Sequence, residues 1–339
     1  MSTVNNCTIH CQQLYNPEDE LARRCLVAAT QPLQKAEDML SHQSKVSRRS
    51  FLVHSSMVLG GVVTGPALLS ACTKTSTGGT ASRLDQLKSA GKITVGIAGE
   101  QPYAFLDHGK LTGMDPTVQM AVWKAVGINA VEAKQVSFDA LIPGLNAGDF
   151  DVISAGMFIN PTRCQQAAFS EPVYVAPDAF LVPPGNPDKI TDFKSVATAG
   201  IKLGVFSGAV EGGYATKAGV DKGNIVTVPD LSAGIQQLEQ GRIRAIGLTS
   251  ITLAWALKQN PAIKAELTKP FVPTVDGKSV LGAGAAVFRK ADADLVNAFN
   301  TQLKTLKDSG ELTKLIEPFG FGPETLPPPD LTTAKLCAG

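Results

Sequence analysis

Arg163 stands two residues after Pro161 in the run Asn160-Pro161-Thr162-Arg163, at the first turn of an expected helix. A guanidinium in that position can give two parallel charge-assisted hydrogen bonds to a carboxylate, a geometry that a lysine does not reproduce. The plainer reading is a surface arginine paired with Glu171. Tyr103, Phe138 and Phe158 each fall where a strand gives way to a loop or helix, which in open α/β sheets is the crevice side. Aromatic residues are 6% of the chain, which gives weight to three of them gathering at strand ends. Three aromatic faces around one volume form a box for a cation, worth roughly 0.5–2 kcal/mol per desolvated face. A lone phenylalanine is more often core, and Tyr103 is the best suited of the three because its hydroxyl wants a polar partner. Glu100 supplies an acceptor for ligand N–H groups; its plainer role is a solvated loop carboxylate.

The same inventory argues against most enzyme chemistry. After Cys72 the chain has a single histidine, His108, too few for a paired-histidine metal site, and no metal or cofactor is expected. It contains no Gly-x-Ser-x-Gly elbow, no phosphate-cradling glycine loop and no Cys-x-x-Cys pair. Lys and Arg number 31 against 30 Asp and Glu, and the two signs balance after Cys72, so nucleic acid is not the expected partner.

Two segments fix where such a site would work. Ser47-Arg48-Arg49-Ser50-Phe51-Leu52 carries twin arginines, followed by a run free of Asp, Glu, Lys and Arg that ends at Leu69-Ser70-Ala71-Cys72. This pattern resembles a twin-arginine export signal over 47–72 closed by a lipoprotein box, with Cys72 as the lipidated residue. An uncleaved membrane helix is disfavoured by Gly60, Gly61, Gly65, Pro66 and several serines. The expected location is the periplasm or the outer face of the cytoplasmic membrane, held by a lipid anchor. Residues 1–46 precede the signal as an extension to which no function is assigned, and Met39 is the expected start. Cys164 and Cys337 are then the cysteines of the exported body, and in an oxidising compartment they read as one disulfide. The chain-entropy model gives a loop of that length up to about 5 kcal/mol.

Residues 73–91, opening on a Thr/Ser/Gly-rich stretch, are expected to be a flexible tether. Beyond them strands at 93–97, 131–136 and 152–155 alternate with helices at 116–126 and 138–146, which implies parallel sheets covered on both faces. The rhythm restarts at 202–206 and runs through 225–228 and 245–248, with helices near 212–218 and 233–240. Phe271 to Phe288 is strand-like again, and a long helix follows toward Asp308. The chain thus leaves a first lobe (92–181), builds a second (182–274) and returns to the first (275–339), with hinges expected near Leu181–Pro184 and Phe271–Val275.

The residues resemble a family, the extracytoplasmic solute-binding proteins of ABC importers, in the polar amino-acid branch. The resemblance spans Lys92 to Gly322 and rests on Gly113-Met114-Asp115, on Phe138-Asp139-Ala140-Leu141-Ile142-Pro143-Gly144-Leu145 with Gly148-Asp149-Phe150-Asp151, and on Asn160-Pro161-Thr162-Arg163 with Phe169-Ser170-Glu171-Pro172-Val173-Tyr174. Glu100-Gln101-Pro102-Tyr103, Met157-Phe158, Thr162-Arg163-Cys164 and Lys335-Leu336-Cys337 look most like the ectoine and hydroxyectoine binders.

The resemblance implies an α/β, two-lobed periplasmic-binding-protein fold of type II, with two hinge crossings and a ligand cleft between the lobes. It implies that Arg163 grips a ligand carboxylate, with backbone N–H groups near Ala209, Val210 and Glu211 completing the anion site from the second lobe. The family's amino-acid binders hold the α-ammonium with an aspartate where this chain has Thr249, so a ligand with its positive charge spread over a ring is favoured. Arg244 departs from an acidic residue common in related sequences and is assigned a surface location. The expected partners are a small zwitterion, the transmembrane subunits of an ABC permease and the membrane through the lipid anchor, and the expected state is a monomer. Alternatives are a polar amino-acid or betaine binder and a cyclohexadienyl dehydratase-like enzyme on the same fold, with Glu100 or Glu211 doing acid/base work.

Overall fold

A computed structural model describes residues 81–339. The extension over 1–46, the twin-arginine signal, the lipid site Cys72 and the first part of the tether lie outside the described residues. No helix among the described residues is long and apolar enough to cross a membrane.

The tether ends earlier than residue 91. Arg83–Ala90 is a helix, because Ser82 caps it by accepting the Asp85 N–H and Gly91 closes it in a left-handed turn. It is fastened to the first lobe by burial of Leu87, an ion pair from Arg83 to Asp151 and a 2.7 Å bond from the Leu84 N–H to Asp294 Oδ2. Its polar composition reads as linker; the Ser-x-x-Asp cap is the signal that it is not.

Each lobe is built on a five-stranded sheet. In the first, Ala130–Gln135, Lys92–Ile97 and Val152–Ile153 run parallel. Val287–Phe288 then lies antiparallel to both Val152–Ile153 and Ala168–Phe169. In the second, Ile225–Val228, Leu203–Phe206 and Ala245–Thr249 run parallel, and Asp178–Val182 lies antiparallel between Ala245–Thr249 and Glu266–Leu267. The sheets are therefore mixed rather than wholly parallel. The antiparallel members Asp178–Val182 and Val287–Phe288 follow the crossings, and a strand arriving from the other lobe enters against the local βαβ direction.

The outward crossing also lies earlier than Leu181–Pro184. Tyr174–Ala176 pairs with Gly282–Gly284 in a two-stranded hinge, and two residues later Asp178 already exchanges hydrogen bonds with Phe271, at 2.9 and 2.8 Å. Asp178–Val182 is buried throughout in the second sheet, so the first lobe's outward segment stops near Pro177 rather than at 181. Pro183-Pro184-Gly185 marks the end of a core strand, not a hinge. The return crossing runs from Phe271 through Gly282.

Behind the first sheet, Trp123, Phe288 and Phe299 pack with centroids 5.7–6.2 Å apart, Phe288 edge to face with both and Trp123 tilted against Phe299. Phe299 belongs to the helix Ala293–Asp308, whose buried Leu295, Phe299 and Leu303 recur every four residues. Each such side chain contributes roughly 1.5–3 kcal/mol by burial. In the second lobe Phe180, Phe193 and Phe271 form the equivalent cluster. Cys164 and Cys337 are joined as a disulfide, which clamps the terminal helix Thr333–Ala338 onto the short helix Pro161–Cys164.

Candidate functional site

Arg163 owes its position to local sequence. Asn160 caps the short helix by accepting the Arg163 N–H at 2.9 Å, and Pro161 presets its first turn. The side chain points inward and is 8% exposed. Nη1 donates to Phe158 O at 2.7 Å, and Nη2 reaches across to Gly208 O of the second lobe at 2.9 Å. The guanidinium lies 5.4 Å from the centroid of the Phe138 ring. Burial pulls its pKa down, while Glu211 opposes that shift. The pairing with Glu171 is not made: Glu171 instead accepts the Thr333 N–H at the start of the terminal helix.

Tyr103 and Phe158 stand in one aromatic wall whose middle member, Tyr174, was not among the expected site residues. Tyr174 packs 5.3 Å from Tyr103 and 6.2 Å from Phe158, and Phe321 backs both tyrosines. Gly156 makes this packing possible. It sits at φ +62°, and a Cβ there would come within 2.4 Å of the Tyr103 ring. Its carbonyl accepts the Tyr174 hydroxyl at 2.7 Å and its N–H donates to Asp115 Oδ2 at 2.6 Å. This gives the Gly113-Met114-Asp115 motif a physical purpose: Asp115 is buried, with its pKa raised to about 7 by desolvation, and it anchors the floor of the cleft. Phe138 stands apart from the wall, half-buried beneath Arg163.

A chain of hydroxyls crosses between the lobes twice. Tyr103 Oη donates to Thr249 Oγ1 at 3.1 Å, Thr249 Oγ1 to Thr252 Oγ1 at 3.1 Å, and Thr252 Oγ1 to Glu100 Oε1 at 2.7 Å. Glu100 is pushed up to about 8 by burial, opposed by the Thr252 bond and reinforced by Glu211. Further links are Ser207 to Asp139 Oδ2 at 2.9 Å and Trp255 Nε1 to Gln101 Oε1 at 3.2 Å.

The second lobe's backbone departs from expectation. The Ala209 N–H is taken by Phe206 O at 3.2 Å. Those of Val210 and Glu211 lie against the Glu211 carboxyl, lowering a pKa that burial raises. The Ala209 N–H is therefore withdrawn from any anion cradle, and those of Val210 and Glu211 stand beside a carboxyl. Arg244, outside the cleft, pairs with Asp188 at 2.8 Å.

Glu100, Tyr103, Phe138, Phe158, Arg163, Val210, Glu211 and Thr249 all line one cavity of about 30 Å³ between the lobes, together with Gly156, Ala209 and Leu248. That volume is room for a water or two. A solute of amino-acid size enters only when the lobes part, which breaks the hydrogen bonds just described. Glu100 and Phe138 also border a neighbouring crevice of about 730 Å³ that reaches Trp255 and Asp230. Among the described residues no group of His, Cys, Asp and Glu could hold a metal ion.

The model of the bacterial extracellular solute-binding proteins, family 3, matches residues 93–323. The "Probable amino-acid ABC transporter periplasmic-binding protein y4tE" of Sinorhizobium fredii is 33% identical over 299 residues, 87% of this chain and 98% of that protein. The crystal structure of EhuB in complex with hydroxyectoine superposes with a TM-score of 0.69 at 33% identity, covering 76% of this chain and 98% of that one. The ancestral amino acid-binding protein AncCDT-1, a precursor of cyclohexadienyl dehydratase, superposes with a TM-score of 0.61 at 28% identity, covering 70% and 99%.

Proposed function

Because this chain belongs to the bacterial extracellular solute-binding proteins, family 3, and is the solute-binding component of an amino-acid-type ABC importer, we propose that its solute is a small zwitterion of the ectoine and hydroxyectoine class. The protein works outside the cytoplasm, takes an amino-acid-like ligand and delivers it to permease subunits. The observation that carries the ligand reading is the convergence of one buried guanidinium, an aromatic wall and Glu100 on a single inter-lobe cavity. Arg163 exchanges a backbone carbonyl for the ligand carboxylate, Tyr103 and Phe158 face a delocalised cation, and Glu100 accepts its N–H groups. Thr249, already bonded to Tyr103, supplies a neutral oxygen where an α-ammonium would want a charge. The likeness to the hydroxyectoine-bound EhuB supports the same class.

Capture proceeds by closure. The solute docks on the first lobe, the hinge strands Tyr174–Ala176 and Gly282–Gly284 flex, and the shut form meets the permease. In this reading the body reaches the cell surface by the twin-arginine route, held by lipid on Cys72, and acts as a monomer. A micromolar affinity, about −8 kcal/mol, is expected of such a site.

The test is calorimetry with ectoine, hydroxyectoine, proline betaine, choline, arginine and glutamine. One-to-one binding of an ectoine, tighter than any amino acid, supports the reading. Preference for arginine or glutamine replaces it with a polar amino-acid binder, preference for proline betaine or choline with a betaine binder, and turnover of prephenate or arogenate with an enzyme of the dehydratase type.

A further inference from the structure

Glu211 is a carboxyl for which the fold supplies no hydrogen-bond partner at one oxygen. The residue is 2% exposed, lines the inter-lobe cavity, and its Oε2 is buried without a partner among the described residues. Asp178, 1% exposed in the hinge-proximal strand, has an Oδ2 in the same condition, and neither oxygen finds the other. The groups that act on Glu211 are the backbone N–H groups of Glu211 and Val210 and, from the first lobe, Arg163; Glu211 in turn raises the pKa values of Asp178, Tyr214 of its own helix and Glu100 of the first lobe. Arg163 offsets its charge, but the guanidinium hydrogen bonds go to Phe158 O and Gly208 O and none reaches Glu211 Oε2. A buried acceptor left unmade is costly, and a donor brought by the ligand removes the cost.

We propose that Glu211 is a specificity-determining residue that selects solutes presenting an N–H or O–H donor to the second lobe. The favoured class is a carboxylate joined to a cyclic amidinium, with or without a hydroxyl; a betaine, whose quaternary nitrogen carries no donor, is disfavoured. This rests on the zwitterion reading above and sharpens it, since an aromatic box alone accepts both kinds of cation.

The experiment is calorimetry of the wild type and Glu211→Gln with hydroxyectoine, ectoine, proline betaine and arginine, alongside thermal melting. The expected result is an affinity for the ectoines lowered about tenfold or more, with proline betaine unchanged or improved, so that discrimination collapses. Undiminished ectoine binding overturns the proposal, and so does an equal loss for proline betaine, which is what a merely structural role gives. If the wild type binds arginine and no ectoine, the ring-solute reading fails alone. Glu211 is then judged on arginine, a donor-bearing cation, by the same tenfold criterion. Should Glu211→Gln not fold, Glu211→Asp, which keeps the charge but withdraws the acceptor by one methylene, is expected to shift selectivity the same way; unchanged selectivity there overturns the proposal.

Discussion

The two walls of the cleft are built differently. The first-lobe wall is braced from behind: Tyr103 and Tyr174 are locked on Gly156, Gly156 on Asp115, and the Arg163 helix is clamped by the Cys164–Cys337 bond. The second-lobe wall is a loop, Ser207 to Val210, and a strand-helix junction, Thr249 to Thr252, whose polar groups reach across to the first lobe. A rigid wall can hold a solute before closure, whereas a wall made of cross-lobe bonds can report that closure has happened. The difference assigns grip to the first lobe, and closure and selection to the second.

The assignment of grip breaks first at Arg163. Arg163→Ala should cost about a hundredfold or more in affinity for hydroxyectoine, and Arg163→Lys should not restore it, because the planar fork is lost; titration calorimetry on folded variants decides. Bracing is tested by replacing Cys164 and Cys337 with serine. Loss of such a crosslink costs about 2–5 kcal/mol, read as a lowered Tm, and solute affinity should fall with it if the clamp positions Arg163. A lowered Tm with unchanged affinity would confine the disulfide to stability. Phe158→Ala should weaken binding about tenfold, against little change for an aromatic that is only core.

Closure should be linked to protons. Shut, Glu100 sits at about 8; opened to water it returns toward 4.5. A carboxyl raised in this way stabilises the shut form fully below 4.5, and that contribution is lost as pH rises through 8. Trp255 lies at the inter-lobe contact, while Trp123 is wholly buried in the first lobe. Intrinsic fluorescence should therefore show the lobes loosening between pH 5 and 8.5, and Glu100→Gln should lessen the slope, with Glu211, also raised by burial, supplying the remainder. This is the smallest expected effect, a few-fold change in the closed population.

The alternating elements were legible because glycines such as Gly127, Gly148 and Gly200 end helices in left-handed turns and the strands are short apolar runs. The site residues were legible one by one, through the family motifs that carry Glu100, Arg163 and Phe158. What could not be read was juxtaposition. Tyr174 ends a family motif, yet its role follows from Gly156, 18 residues before it, and from Phe321 near the end of the chain. Asp178 becomes notable only because the crossing brings it within the influence of Glu211, and the crossing was misplaced by the Pro183-Pro184 signal. Arg83–Ala90 was missed because a helix with one buried leucine looks like a linker until its cap is noticed.

The most direct measurement is a crystal structure of the protein with hydroxyectoine. The expected structure has a carboxylate within about 3 Å of the Arg163 guanidinium nitrogens, the ring against Tyr103 and Phe158, and both lobes in contact with the ligand. A ligand seated elsewhere, with Arg163 still bonded to Phe158 O and Gly208 O, would contradict it.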